Sequence, residues 1–364
     1  LNTILPRRNS KRIHVGSIPI GGGAPIVVQS MANTDTRDWR ATVEQIRRLE
    51  EAGCQLVRVA VVDEEAVQQL GRIRRNIGVP LIADIHFDHR LALGAIREGV
   101  DGLRLNPGNI GGRDRVARVA AAALERQVPI RIGVNSGSIE KELLARDGHP
   151  TPEAMVESAL KHVQLLEDEG FDLIKISLKS SSVLDTIASY RLLSGKTDYP
   201  LHLGVTEAGT VVDGAVKSAL GIGLLLLEGI GDTLRVSLTS DPEEEIPVAY
   251  SILRSLGLRH RGVELISCPT CGRTEMELIP LVQKADKILR KIRTPLKVAI
   301  MGCVVNGPGE AREADVGIAG GRGSGILFKK GELVEKIPQK DLLTRLLAEV
   351  ESMTGEKLHG RDPR

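Results

Sequence analysis

"PIRIGVNSG", residues 129–137, alternates two kinds of side chain. Arg131, Gly133 and Asn135 share one parity; Ile130, Ile132 and Val134 share the other. A strand sends successive side chains to opposite faces, so this one has a polar face and a branched apolar face. Seven further runs read the same way: "PIVVQSMANT" (25–34), "QLVRVAVVD" (55–63), "PLIADIHFD" (80–88), "DGLRLNPGN" (101–109), "DLIKISLKSS" (172–181), "PLHLGVTEAG" (200–209) and "DTLRVSLTS" (232–240). Amphipathic stretches lie between them, such as "DWRATVEQIRRLEEAG" (38–53) and "TPEAMVESALKHVQLLEDEG" (151–170). The second opens with Thr151 as an N-cap, Pro152 at the first helical position and Glu153 in the first turn; both close on glycine. Eight βα units in about 240 residues predict a TIM (β/α)8 barrel. A doubly wound sheet is the alternative, but its Gly-rich fingerprint is missing.

The polar parity recurs along the chain. It carries Arg58, then Asp84 and His86, then Arg104 and Asn106. Lys175, Ser177 and Lys179 follow, then His202 and Thr206, and finally Arg235, Ser237 and Thr239. In a closed barrel that face is the lumen. Buried cations need partners, and this face offers only Asp84 as an acid. The surplus calls for a multiply charged anion such as a diphosphate, which the planar donor fork of arginine suits.

Net charge is +2 and aromatics make up 2% of the 364 residues, so neither a basic field nor stacking platforms argue for nucleic acid. Apolar runs such as Leu224 to Leu227 are too short for a membrane span, and "LNTILPRRNSKRI" has no signal-like apolar run. The expected location is the cytoplasm. From about residue 241 the pattern changes, and "DPEEEIPVAYSILRSLGLRHRG" (241–262) reads as a charged linker followed by a helix. The expected division is a barrel over 1–245, a linker at about 246–257, and a small α+β domain over 258–364, within an α/β chain.

The second domain holds three of the four cysteines. Cys268 and Cys271 form a Cys-x-x-Cys pair after one strand; Cys303 follows another in "IMGCVVNGPGE". Adjacent parallel strand ends would bring the three thiols together. Cys54 sits at a helix end before strand two, at the bottom of the barrel, and reads as a small buried apolar residue. Glu310, Asn306 and His260 are the nearby candidates for a fourth ligand. Zinc would take Cys₃His most naturally, whereas an iron–sulfur cluster usually takes four thiolates. Three thiolates would leave one iron with an oxygen ligand or an open position.

"ISCPTCGR" followed by "GCVVNGPGEAREADVGIAGG" resembles the 4-hydroxy-3-methylbut-2-enyl diphosphate synthase (IspG/GcpE) family in its two-domain bacterial form. "VQSMANTDTRD", "ADIHFD", "LRLNPGNIG", "RIGVNSGS" and "GVTEAGT" extend the likeness through the barrel. The resemblance implies an oxidoreductase of the non-mevalonate isoprenoid pathway. It would reduce and open 2-C-methyl-D-erythritol 2,4-cyclodiphosphate, with ferredoxin or flavodoxin as electron donor. It implies a 4Fe–4S cluster on Cys268, Cys271, Cys303 and Glu310, and a homodimer. Substrate contacts carry over onto Arg58, Arg104, Arg131, Asn135, Lys179, Arg235 and Ser237, with Asp84 and His86 as polar neighbours. Glu207 matches the family's acid/base glutamate. Lys175 is not singled out by the resemblance, but it shares the lumen parity and is a further candidate on that ground. Without the resemblance, a zinc-stabilised barrel protein that acts on a phosphorylated small molecule without redox turnover remains the other reading.

Overall fold

The structure, a computed structural model, describes residues 5–303, 309 and 311–358. The chain divides into two compact units, Leu1–Arg259 and His260–Arg364.

The first unit opens with an antiparallel hairpin, β1 (Ile13–Val15) and β2 (Ile18–Ile20). Alternation then follows: β3 (Val27–Met31), α1 (Trp39–Ala52), β4 (Leu56–Ala60), α2 (Glu64–Arg75), β5 (Leu81–Asp84), α3 (His89–Arg97), β6 (Gly102–Arg104) and α4 (Arg113–Glu125). It continues with β7 (Ile130–Asn135), α5 (Lys141–Asp147), α6 (Pro152–Glu167), β8 (Ile174–Lys179), α7 (Val183–Ser194), β9 (His202–Leu203), α8 (Val211–Leu227), β10 (Thr233–Leu234) and α9 (Glu245–Ser255). Strands β3 to β10 form one eight-stranded parallel sheet in the order β8-β7-β6-β5-β4-β3-β10-β9. A bridge from Ile176 to Leu201 joins its two edges, and Thr206 N–H donates to Ser180 O at 3.2 Å. The sheet is a closed barrel, and each expected strand run contains one of its strands.

Local signals explain the helices. The Asp38, Asp63 and Asp88 carboxylates accept N–H bonds at the starts of α1, α2 and α3, and Thr151 Oγ1 accepts from Ala154 N at 3.1 Å. Gly53 ends α1 with φ 112°, a left-handed conformation open to glycine. The alternate strand side chains, among them Val57, Val59, Ile130, Ile132 and Ile176, join the helices in one core outside the barrel. A second, smaller cluster lies at the strands' N-terminal ends. There Ile13, Val15 and Ile20 of the hairpin pack on Val27, Leu56 and Ile82. Those three share the lumen parity with Gln29, Arg58 and Asp84, so an apolar plug closes the bottom of the lumen.

One expectation fails here. The segment 246–257 is not a linker. Helix α9 buries Ile246, Ala249 and Leu253 in the barrel core, and Tyr250 Oη donates to Gly53 O at 3.0 Å. Its apolar residues recur at helical spacing, which draws the helix onto the barrel surface.

The second unit holds β11 (Val263–Ser267), α10 (Leu278–Leu289), β12 (Leu296–Met301), β13 (Val316–Gly320), β14 (Ser324–Lys329), β15 (Glu332–Pro338) and α11 (Leu342–Thr354). Strands β11, β12 and β13 run parallel, and β14 and β15 complete the five-stranded sheet antiparallel. Leu278 and Leu289 of α10 and Leu346 and Val350 of α11 share a core with Val298, Ile300 and Ile318. Helix α10 begins at Leu278, after the loop that carries Cys271.

Candidate active site

The lumen is built from parity and register. Asp84, Arg104, Arg131 and Lys175 are successive Cα partners across β5 to β8, so they stand in one row. Asn135 and Lys179 pair two same-face steps higher, beyond Gly133 and Ser177 and nearer the C-terminal mouth. Arg104 Nη1 donates to Asp84 Oδ1 at 3.1 Å, and its Nη2 to Gly133 O at 2.9 Å. Arg58 Nε lies 3.4 Å from Asp84 Oδ2, and its other contacts are to the Met31 sulfur, a weak acceptor. Burial pushes the Asp84 carboxyl up, but Arg58, Arg104 and Arg131 together outweigh burial and hold it below the usual range. Asp84 is therefore a fixed anion that organises two arginines.

The other cations have fewer partners. Arg131 Nη1 donates to Ser177 Oγ at 2.6 Å, while its Nε and Nη2 are buried without a partner. Burial lowers the Arg131 guanidinium well below its ordinary value, and Arg58 and Arg104 add to the effect. Burial acts likewise on Lys179, with Arg131 and Arg235 contributing. His202 Nδ1 pairs with Thr233 Oγ1 at 2.8 Å, and burial holds the ring neutral. Such crowding of like charge is unfavourable in the free protein and is relieved by an anion.

His86 follows β5, largely exposed, with Nε2 3.5 Å from Asp84 Oδ1 and 3.4 Å from Arg104 Nη1. Ser237 is half-buried in the stretch after β10. Glu207 is exposed in the turn after β9, at the C-terminal mouth, and has φ 52°. A non-glycine residue in that region costs about 1–3 kcal/mol, and such strain concentrates at functional sites. Gly133 also has a local reason: a Cβ there would stand 2.6 Å from Arg104 Nε.

Sequence reasoning missed Glu245. It is 2% exposed and every oxygen lone pair of its carboxylate has a donor. Arg235 Nε and Nη2 donate to its two oxygens, each at 3.1 Å. Ser30 Oγ adds a bond at 2.9 Å and Leu238 N–H one at 3.3 Å. Asp84 is thus not the only acid among the lumen cations. The signal was available: Glu245, Ala249 and Ile252 share one helix face, and the other two are buried apolar residues.

In the second unit, Ser267 and Ile300 are Cα partners on parallel β11 and β12. Cys268 and Cys303 therefore leave the same edge of the sheet. Gly302 N–H donates to Cys268 Sγ at 3.2 Å, and Glu275 N–H to Gly302 O at 3.1 Å. These bonds tie the Cys-x-x-Cys loop to the residue before Cys303. Cys271 is exposed, and the Arg273 backbone N–H, then its charge, draw the thiol below its ordinary pKa. This is a thiolate-favouring environment at a soft donor set, which fits an iron–sulfur cluster or zinc. Among the described residues no three such side chains are yet gathered closely enough to hold a metal. His260 precedes β11, at the opposite end of the strand from Cys268. Glu310 and Asn306 lie outside the described residues. Cys54 is buried in the barrel core, bonds to Leu56 O at 3.0 Å, and is pushed up to about 12 by burial, so it is an inert thiol.

Two family sequence models cover most of the chain. The GcpE TIM-barrel domain matches residues 10–250 and the GcpE protein C-terminal domain matches residues 264–352. This chain belongs to the GcpE family. Among GcpE relatives, a protein of Geobacter sulfurreducens is 60% identical over 96% of this chain and 99% of its own length. One of Maridesulfovibrio salexigens is 61% identical over 97% of this chain and 99% of its own length. Both are called 4-hydroxy-3-methylbut-2-en-1-yl diphosphate synthase (flavodoxin). The GcpE barrel match spans the lumen cations described above, and the C-terminal match spans the three loop cysteines.

Proposed function

We propose that this chain is an oxidoreductase that converts 2-C-methyl-D-erythritol 2,4-cyclodiphosphate into 4-hydroxy-3-methylbut-2-enyl diphosphate, with reduced flavodoxin as donor. The observation that carries the reading is a plugged lumen whose cations outnumber its acids, in the same chain as three cysteines on one sheet edge. The names of the relatives support the diphosphate product and flavodoxin rather than ferredoxin. In the reaction two electrons enter, two C–O bonds break, one to the diphosphate and one to a hydroxyl, and a C=C bond forms. One proton turns the departing hydroxide into water.

Arg58, Arg104, Arg131, Asn135, Lys179, Arg235 and Ser237 hold the diphosphate in this reading, with Asp84 and His86 setting arginine geometry beside it. In this reading Glu207 gives the proton to the leaving hydroxyl, a role supported by its exposure at the mouth and its positive φ. Cys268, Cys271, Cys303 and Glu310 would hold a 4Fe–4S cluster, which supplies electrons one at a time. The barrel thus binds and the unit over 258–364 reduces. A homodimer accords with helix α8, where Val212, Val216, Leu220 and Leu224, four residues apart, are each at least 40% exposed. No described helix is long and apolar enough to cross a membrane, and a cytoplasmic location accords with a flavodoxin donor.

Anaerobically purified protein should be brown, carry about four irons and four sulfides per chain, and turn over the cyclic diphosphate with reduced flavodoxin. A colourless zinc protein would overturn the reading. Gly133→Ala should displace Arg104 from Asp84 and weaken substrate binding about tenfold, the loss of one charged hydrogen bond. Calorimetric titration of that variant checks it; unchanged affinity would remove Arg104 from the site.

A further inference from the structure

Lys175 is the lumen cation that the substrate reading leaves unused. Its side chain is 2% exposed and Nζ has no hydrogen-bond partner. It is the Cα partner of Arg131, on the neighbouring strand, two residues below Ser177. Of the charges that act on it, Asp232 draws it toward the ammonium form, while Arg131 and Arg58 oppose that. Arg131 (β7), Arg58 (β4) and Arg104 (β6) are cations, Lys179 (β8) is an amine that burial and the arginines lower as well, and His202 (β9) is a neutral ring. Gln29 (β3) is uncharged. Asp84 (β5) is committed to Arg58 and Arg104. Asp232, just before β10, is committed to Arg7, Ser10 and the Leu201 N–H. A cavity of about 10 Å³ lies beside Arg131 and Lys175, walled by Val15, Ile82, Leu103 and Ile130 among others. That is room for about one water and for no oxyanion. Lys175 therefore does not hold the substrate; it lies below it.

We infer that Lys175 is uncharged in the free protein and takes up one proton when the cyclic diphosphate binds above it. The inference rests on the substrate reading given above. Burial, with Arg131 next, brings the amine down to about 7, where a modest push changes its charge. An incoming dianion screens Arg131 and Arg58 and attracts the ammonium form. Neighbouring charges of this kind move a pKa by about 1–3 units. The substrate contributes no proton of its own, because each phosphorus of the cyclic diester carries one strongly acidic oxygen. Binding raises the pKa, so the extra affinity is fully present below about 7. It is lost as pH rises toward the bound-state value, by up to about tenfold per pH unit.

The test is calorimetric titration of the full-length holoprotein with the cyclic diphosphate at about pH 7.5, in Tris and in HEPES, whose ionisation enthalpies differ. The buffer dependence of the heat should report net uptake of about 0.5–0.75 proton at this pH, given a free value of about 7, and Kd should rise with pH. In Lys175→Met the uptake should vanish and the pH dependence flatten. Binding by the wild-type protein with buffer-independent heat would overturn the inference and leave the substrate reading standing, whether or not the variant folds. Undiminished uptake in Lys175→Met would also overturn it, assigning the proton to another group of the lumen. No binding by the wild-type protein would overturn both.

Discussion

Glu245→Ala should destabilise the barrel by about 3–5 kcal/mol, the loss expected when one partner of a buried ion pair is removed. The carboxylate is 3% exposed and ties together three parts of the chain: Ser30 on β3, Arg235 after β10, and the Leu238 backbone. Without it, two nitrogens of the partly buried Arg235 guanidinium, a hydroxyl and an N–H lose their acceptor together. Water has little access to replace it. Glu243, two residues earlier, is the internal control. It pairs with Arg48 at 2.7 Å, where Arg48 is half exposed, so Glu243→Ala should cost at most about 1 kcal/mol. Urea unfolding of both variants checks the contrast. Equal losses would show that Glu245 is only one more surface acid of the "EEE" run. Substrate affinity should also fall in Glu245→Ala, because Arg235 would no longer be held by its two bonds.

Cys303→Ser should bring turnover to background and abolish the brown chromophore, while far-UV circular dichroism stays at the wild-type level. A serine hydroxyl is a poor, hard replacement for thiolate on iron. The fold of that unit does not need the sulfur: its core is Val298, Ile300, Val316 and Ile318 with α10 and α11. Cys54→Ser should behave in the opposite way. It places a hydroxyl among apolar side chains and lowers stability, yet leaves the chromophore intact. A Cys303→Ser protein that is brown and turns over at the wild-type rate would remove Cys303 from the cluster. A colourless Cys54→Ser protein would add Cys54 to it.

The barrel was legible because two periods coincide along it. Arg131, Gly133 and Asn135 alternate with Ile130, Ile132 and Val134, and the backbone geometry of a strand leaves one way to bury the second set. The hairpin that plugs the lumen was not legible: Ile13, Val15 and Ile20 look like any short apolar alternation until Val27, Leu56 and Ile82 are seen to face them. Glu245 was hidden for a different reason. Its neighbours Glu243 and Glu244 are acids as well, and charge runs usually mark solvated surface, so its burial is decided by the packing of α9. The φ of Glu207 leaves no trace in composition at all. For the second unit, the common edge of Cys268 and Cys303 follows from two parallel strands, whereas the Gly302 bond to Cys268 Sγ depends on a loop path that spacing does not specify.

The apolar plug beneath the lumen makes the barrel a cup rather than a tube. Reactant and product share a single doorway, and both are diphosphates. If the lumen arginines hold the reactant as proposed, the product must back out past them. Traffic through that mouth, rather than affinity alone, then sets how much product the enzyme tolerates. Product accumulating in the medium should compete directly with reactant for entry.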